Sequence, residues 1–427
     1  MSETDIQRAS NRSMERERER DGEQGRRDRG QQGKRVAVLA QAAVPTLWLL
    51  RPSENLAPSR RPGCLIHRAM APKPINRHPR ARKKIRVGSD FSGMEAGVTA
   101  LKRMGVPFTL AFSSDNDPSC QKFIRKVHKP KVLFEDITTR RPEEECDVDL
   151  YLWTPPCQYF SPAGNLRGVS GHGKLMASSI KYIRRKRPRV SVMENVKNLA
   201  SKRFRGVLRG TTKALEGLGY KVFTKVLDSS SFGVPQQRKR LFLVSIREDS
   251  VRHEFQWPSP KTPKFNMDDF LDPIVPGDRP GRLPSSDRGR RHCKAAYRKV
   301  FANGIDPKKT PVLVDVDCSD RYRSVGVNIA KTLTRSRGEV GGGPWVSTRG
   351  RRTTSSELMR IQGFTESEVP WQEAGISANQ IGAMLGNSVS VPVIGAVLAN
   401  AMFAGGLTLK CYKFPAFYDP GNDDVGP

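Results

Sequence analysis

Short apolar runs alternate with stretches of helical spacing from residue 85 to residue 255. "KIRVGSDFSG" reads as a strand with its exit loop, and "MEAGVTALKRM" continues as a helix. "FTLAFSSDND", "KVLFEDI", "DVDLYLWTPPC" and "RPRVSVMENV" are further apolar runs that end in polar residues. Between them, "PSCQKFIRKVH" and "LMASSIKYIRRKR" have helical spacing, with Leu175, Ile180 and Ile183 on roughly one face. Strands alternating with helices predict a parallel, doubly wound α/β sheet. "YKVFTKVLDSSSFGVPQQRKRLFLVSI" reads instead as two strands joined by a Gly/Pro loop, an antiparallel addition.

The pattern fails in two regions. Residues 1–84 have no apolar period and are dominated by charge, so they read as a disordered tail. Residues 256–345 are rich in Pro, Gly and basic residues, as in "DPIVPGDRPGRLPSSDRGRRH", and read as a second, small and irregular domain. Helical spacing returns in "SSELMRIQGF" and "GAMLGNSVSVPVIGAVLANAMF", so 346–403 rejoin the domain begun at 85–255, with a final helix at 387–402. Residues 404–427 read as a tail. A chain of 427 residues is long enough for two or three domains.

Charge narrows the partner. The formal net charge is +31, which fits a polyanion. No basic amphipathic helix favours a membrane surface, and "VAVLAQAAVPTLWLL" is too short to span a bilayer. Seven cysteines without a CxxC pair fit a reduced intracellular protein with no structural zinc. Two basic runs stay open. "RHPRARKKIR" is a nuclear-import or DNA-contacting arm, or a solvated linker. "KYIRRKRPR" is a solvated helix end, or a phosphate contact.

Ligand sites in doubly wound sheets lie beyond the C-terminal ends of the strands. "DFSGMEAG" puts Gly93 and Gly97 between a strand and a helix, where glycine admits a ligand to the backbone or serves packing alone. Asp115 is either an acceptor for ribose hydroxyls or a cap for the helix after it. Asp136 repeats the theme at the third strand, where it could meet an adenine amino group. Together the three tips point to a nucleoside ligand.

Cys157 follows Pro-Pro at the fourth strand's end. A lone cysteine is most often inert core, but these prolines fix the chain's exit and supply no N–H. The next strand ends in Glu194 and Asn195. "PQQRKR" then sets Gln236, Arg238 and Arg240 at alternate positions, facing one way. A thiol, a carboxylate and guanidinium groups can converge above one sheet edge. That set suits methylation of cytosine at C5. A thiolate adds to C6, and a carboxylic acid at N3 steadies the developing charge. An arginine holds O2 and favours the thiolate, and C5 accepts methyl from a sulfonium donor.

In order along the chain, "DFSGMEAG", "SDND", "EDI", "PPCQYFSPAGN", "GKLM", "MENV", "QQRKR", "SSELMRIQGF" and "GNSV" resemble the motif series of the cytosine-C5 DNA methyltransferase family. The resemblance covers residues 85–400. It implies a doubly wound, mostly parallel α/β sheet of the Rossmann-like S-adenosylmethionine-dependent methyltransferase type, with a target-recognition domain at 256–345. Cys157 would be the nucleophile and Glu194 the N3 proton donor, with Arg238 and Arg240 supporting the active-site loop and holding the base. Phe91, Ser92, Gly93, Asp115, Asp136, Ile137, Pro156, Leu175, Asn387 and Ser388 would hold S-adenosylmethionine, with no metal. Ser161 to Gly168 would close over a flipped base. The partner would be double-stranded DNA, bound by a monomer, in the nucleus of a eukaryote or otherwise in the cytoplasm.

Two further readings stand beside this one. The first is an RNA methyltransferase of the same family, whose distinctive Cys-Phe-Thr stretch is absent. The second is a catalytically inactive chromatin protein, which would lack Cys157 or Glu194. Four positions depart from the family pattern: Glu95 for glycine, Asp90 for a hydrophobic residue, Asn116 for an aromatic and Thr365 for proline.

Overall fold

The computed structural model describes residues 84–156, 169–260, 265–338 and 342–415. Its first eight strands are β1 (Ile85–Asp90), β2 (Phe108–Ser114), β3 (Val132–Phe134), β4 (Leu150–Trp153), β5 (Val190–Val196), β6 (Tyr220–Asp228), β7 (Gln236–Gln237) and β8 (Lys239–Arg247). All but β7 form one sheet in the order β3-β2-β1-β4-β5-β8-β6. The first five strands in that order run parallel, and β8 lies antiparallel between β5 and β6. The doubly wound sheet with an antiparallel addition is therefore present.

Side-chain alternation decides the layers. On β4, Leu150 and Leu152 enter a core shared with α1 (Ala96–Arg103) and α2 (Pro118–Phe123). Tyr151 and Trp153 enter the opposite core, shared with α3 (Val169–Lys186) and α4 (Arg205–Glu216). All four of those β4 residues are buried. Burial on both faces is why the parallel strands read as unbroken apolar runs rather than alternating ones.

Residues 256–345 hold more regular structure than their composition implies. A 15-residue helix, α5 (Asp287–Phe301), packs Cys293, Ala296 and Val300 onto Val312, Val314 and Val316. The strands beyond it are β9 (Val312–Val314), β10 (Val325–Val327), β11 (Ala330–Lys331), β12 (Trp345–Val346) and β13 (Arg351–Arg352). Four of them make a second sheet, β10-β9-β12-β13, which runs past residue 345. The fifth, β11, pairs in parallel with β7 and ties the small sheet's return to the catalytic one.

A short turn of helix, α6 (Arg335–Gly338), precedes β12, and α7 (Ser355–Gln362) follows β13 behind a Thr354–Glu357 capping box. The final helix expected at 387–402 starts four residues later, and a separate helix precedes it. They are α8 (Ala378–Asn387) and α9 (Val391–Ala404), bent by 42°. Pro392 lies in the first turn of α9. Proline lacks an N–H and disfavours a helical residue before it, so the chain must stop and restart. Asn387 and Ser388 thereby fall at a helix end. No single helix among the described residues is long and apolar enough to cross a membrane.

The run "KYIRRKRPR" resolves in a third way. Arg185 pairs with Glu145, and Lys186 lies 3.3 Å from Asp147. Arg187 donates to the Leu218 carbonyl and stacks over Tyr220, while Arg189 donates to the Gly405 and Gly406 carbonyls at 3.0 Å. Arg185 and Lys186 thus pair with carboxylates, and Arg187 and Arg189 staple the protein's own backbone.

Candidate active site

The C-terminal ends of β1 through β5 surround a cavity of about 540 Å³. Phe91, Gly93 and Glu95, in the loop leaving β1, occupy left-handed backbone with φ of 57°, 55° and 54°. Only glycine adopts this freely, so the two non-glycine positions are strained. Ser92 holds the loop down. Its N–H donates to the Ser114 carbonyl at 2.9 Å, and its hydroxyl accepts from the Ser114 N–H at 3.0 Å.

At the tip of β2, Asp115 accepts from the Gly93 N–H at 2.7 Å and the Asp117 N–H at 2.9 Å. The helix cap is Asp117, which accepts from the Ser119 N–H at 2.9 Å, so the capping alternative for Asp115 falls away. Beyond β3, Asp136 accepts from both the N–H and the hydroxyl of Thr138 and lines the cavity with Ile137. Pro156, Leu175, Asn387 and Ser388 complete the set of expected ligand-binding residues, and all of them line the same cavity.

Glu194, on β5 beside β4, also faces the cavity and is buried. Burial raises its carboxyl pKa above the ordinary carboxylate value, against the opposing charges of Arg240 and Arg238. The Arg240 guanidinium lies 3.2 Å from Glu194. Asn195, next to it, donates to the Pro155 carbonyl at 3.0 Å and so fixes the Pro-Pro exit from β4. Cys157 and the segment Ser161 to Gly168 lie outside the described residues; the chain's last described residue before them, Pro156, is at the cavity wall. A carboxyl with a raised pKa, held beside a guanidinium at a strand tip, can donate a proton to a bound base.

The sequence model of the family described as C-5 cytosine-specific DNA methylase matches residues 85–402. The chain belongs to this family. The methylase is 31% identical over 314 residues to the Type II methyltransferase M.NgoBI of Neisseria gonorrhoeae, covering 71% of its own chain and 89% of that protein. It is 31% identical over 289 residues to the Type II methyltransferase M.FnuDI of Fusobacterium nucleatum, covering 65% and 83%. Its fold matches the crystal structure of the S. pombe Dnmt2 methyltransferase with a TM-score of 0.52 at 16% identity, covering 75% and 98%. The enzyme is a DNA (cytosine-5) methyltransferase.

In the methylase Gln236 and Arg238 meet at Leu333, whereas Arg240 pairs with Glu194. β7 ends at Gln237 and pairs with β11, whereas β8 begins at Lys239. Gln236 donates to the Gln362 side chain and the Ile361 carbonyl. Arg238 is buried and donates to the carbonyls of Leu333 at 2.7 Å, Ser388 at 2.6 Å and Gly386 at 3.2 Å. Of the three, Arg240 alone has an ion pair with Glu194. Arg238 acts as a positioning residue that clamps the α8–α9 turn, where Ser388 lines the cavity.

Two departures from the family pattern have local causes. Asp90 makes a two-pronged pair with Arg140, at 2.8 and 3.0 Å, and accepts from the Tyr151 hydroxyl at 2.5 Å. The Arg140 guanidinium sits among the rings of Phe112, Phe134 and Tyr182. A charge in place of a hydrophobic residue is thus matched by a charge from the loop after β3. Thr365 starts a turn in which its N–H donates to Glu368 at 2.9 Å, a local change. Sequence reasoning missed Asp117 and Arg335 on the cavity wall. Asp117 was legible as an acid before proline. Arg335 was not, because the return of the small domain to the cavity rests on the β7–β11 pairing.

Proposed function

We propose that this methylase acts on a cytosine turned out of duplex DNA, with Cys157 as the nucleophile and S-adenosylmethionine as the methyl donor. One observation carries the reading: buried Glu194, paired with Arg240, faces the cavity on the strand next to the one that leads into Cys157. The Cys157 thiolate would add to C6, while protonated Glu194 donates to N3 and Arg240 keeps that carboxyl oriented. The adduct makes C5 enamine-like, so that C5 can take the methyl group; loss of the C5 proton would then break the Cys157–C6 bond and return the thiolate. Asn195 holds the Pro155 carbonyl, so the approach to Cys157 starts from a fixed point.

The cavity's chemistry fits the donor. Its described wall carries the carboxylates of Glu95, Asp115, Asp117, Asp136 and Glu194, with Arg335 as its one cation. Such a wall suits a ligand that brings hydroxyl and amino donors and positive charge. Asp115 and Asp136 would take the ribose and adenine donors, and the loop Phe91–Gly93 with Asn387 and Ser388 would hold the amino-acid end. When bound, S-adenosylmethionine supplies an electrophilic methyl group.

Duplex DNA as substrate is supported by exposed cations that follow Glu194 in the chain: Lys197, Lys202, Arg203, Arg205 and Arg209. Turning a base out of the stack costs a few kcal/mol, which contacts in the pocket offset. The small domain with α5 and its sheet would read the target. Cys157→Ser tests the assignment. It should abolish methyl transfer and leave binding of S-adenosylhomocysteine unchanged by calorimetry. Turnover at the unaltered rate would remove Cys157 from the mechanism.

A further inference from the structure

Glu95 has no part in the chemistry above. It lines the cavity, is 2% exposed and forms no ion pair among the described residues. Its carboxyl accepts from the Ser113 hydroxyl at 2.5 Å, and the hydroxyls of Ser89 and Ser92 also stabilise its charged form. Hydroxyls solvate it, but no cation among the described residues pairs with it. Its backbone is left-handed, with φ of 54°. The position therefore combines strain with a buried acid, the combination found where a ligand completes a site. A buried carboxylate either stays neutral or gains a positive partner. The ligand assigned above carries one, the α-ammonium of its amino-acid end.

We propose that Glu95 is the counter-ion of that ammonium group, so that the ligand completes an ion pair that the described residues lack. The inference rests on S-adenosylmethionine being the donor. Burial pushes the Glu95 carboxyl up to about 7. An ammonium beside it would pull it back down, so binding below that pH would expel a proton.

Two other cavity carboxyls are also raised by burial, Asp115 at the tip of β2, which adds like charge, and Glu194 on β5, so the slope is assigned to Glu95 by its loss in the Glu95 variants. Lys102, further along α1, feels the charge of Glu95 from a distance. His128, in the π-helical turn after α2, is pushed down to about 3 by burial and stays neutral. Arg335 on α6 lies 3.6 Å from Asp117, and Asp90 on β1 is held by Arg140.

The test is calorimetric titration of the full chain with S-adenosylhomocysteine, which keeps the ammonium, in buffers of different ionisation enthalpy. Wild-type affinity should rise about tenfold per pH unit on approaching pH 7, level off above it, and release a proton on the rising limb. Glu95→Gly, which suits the left-handed backbone, and Glu95→Gln should both bind without that slope, at about the wild type's low-pH affinity. With wild type, 5′-methylthioadenosine, which lacks the ammonium, should show no slope. A slope retained in Glu95→Gly, or a flat wild-type profile, would overturn the proposal. Failure of S-adenosylhomocysteine to bind wild type at any pH would overturn the donor assignment itself, and the proposal with it.

Discussion

Arg238 and Arg240 are two residues apart and do different work. Arg240 stands beside Glu194, whereas Arg238 answers three backbone carbonyls. Arg238→Ala removes the guanidinium donor from the Leu333 and Gly386 carbonyls, while the Ser388 carbonyl keeps Gln362, which should cost roughly 3 kcal/mol of stability in urea unfolding. Arg238→Lys should recover little, since one ammonium cannot span a planar fork's acceptors. Glu95 makes a prediction of opposite sense. Its folded pKa of about 7 lies above the ordinary 4.5. The stability it contributes is complete below the ordinary value and is lost as pH rises through the folded one. Wild type should weaken relative to Glu95→Gly by about 3 kcal/mol across that window, measured by urea unfolding on either side of it. An unchanged difference would mean that Glu95 ionises as freely as an exposed acid.

At the scale of elements, what could be read was what burial dictates. β4 and β5 stood out because both faces are covered, and α7 because "SSELMRIQGF" has helical spacing. The α8–α9 break was hidden because "SVSVPVIG" carries no charge and proline is tolerated in a helix's first turn. The partners that separate Gln236 and Arg238 from Arg240 were hidden because they come from β11 and the residues after it, α7 and the α8–α9 turn, all distant in the chain. Of the candidate site, the strand-tip residues were legible, since sheet topology places them. Asn195 acts between elements, joining the end of β5 to the exit of β4. Asn195→Ala should lower the methyl-transfer rate about tenfold or more while leaving S-adenosylhomocysteine affinity unchanged, because the displaced group is a loop that positions the nucleophile. Equal losses in both would show that the bond serves the cofactor pocket instead.

At the scale of the whole molecule, two sheets share one functional edge. The catalytic sheet carries the cavity, and the small sheet returns to it through β11 beside β7 and through α6, where Arg335 joins the cavity wall. The net charge of +31 indicated a polyanion and is silent on this connection. Cytosine methylation in DNA follows from the family, whereas the route through a covalent adduct is the central claim. Duplex DNA carrying 5-fluorocytosine at the target tests it most directly, because fluorine at C5 blocks release of the enzyme. With S-adenosylmethionine present, wild type should become linked to this DNA in a complex that survives denaturing electrophoresis, and Cys157→Ser should not. No linked complex with wild type, a complex that persists in Cys157→Ser, or linkage to the matching RNA but not to DNA would contradict the account.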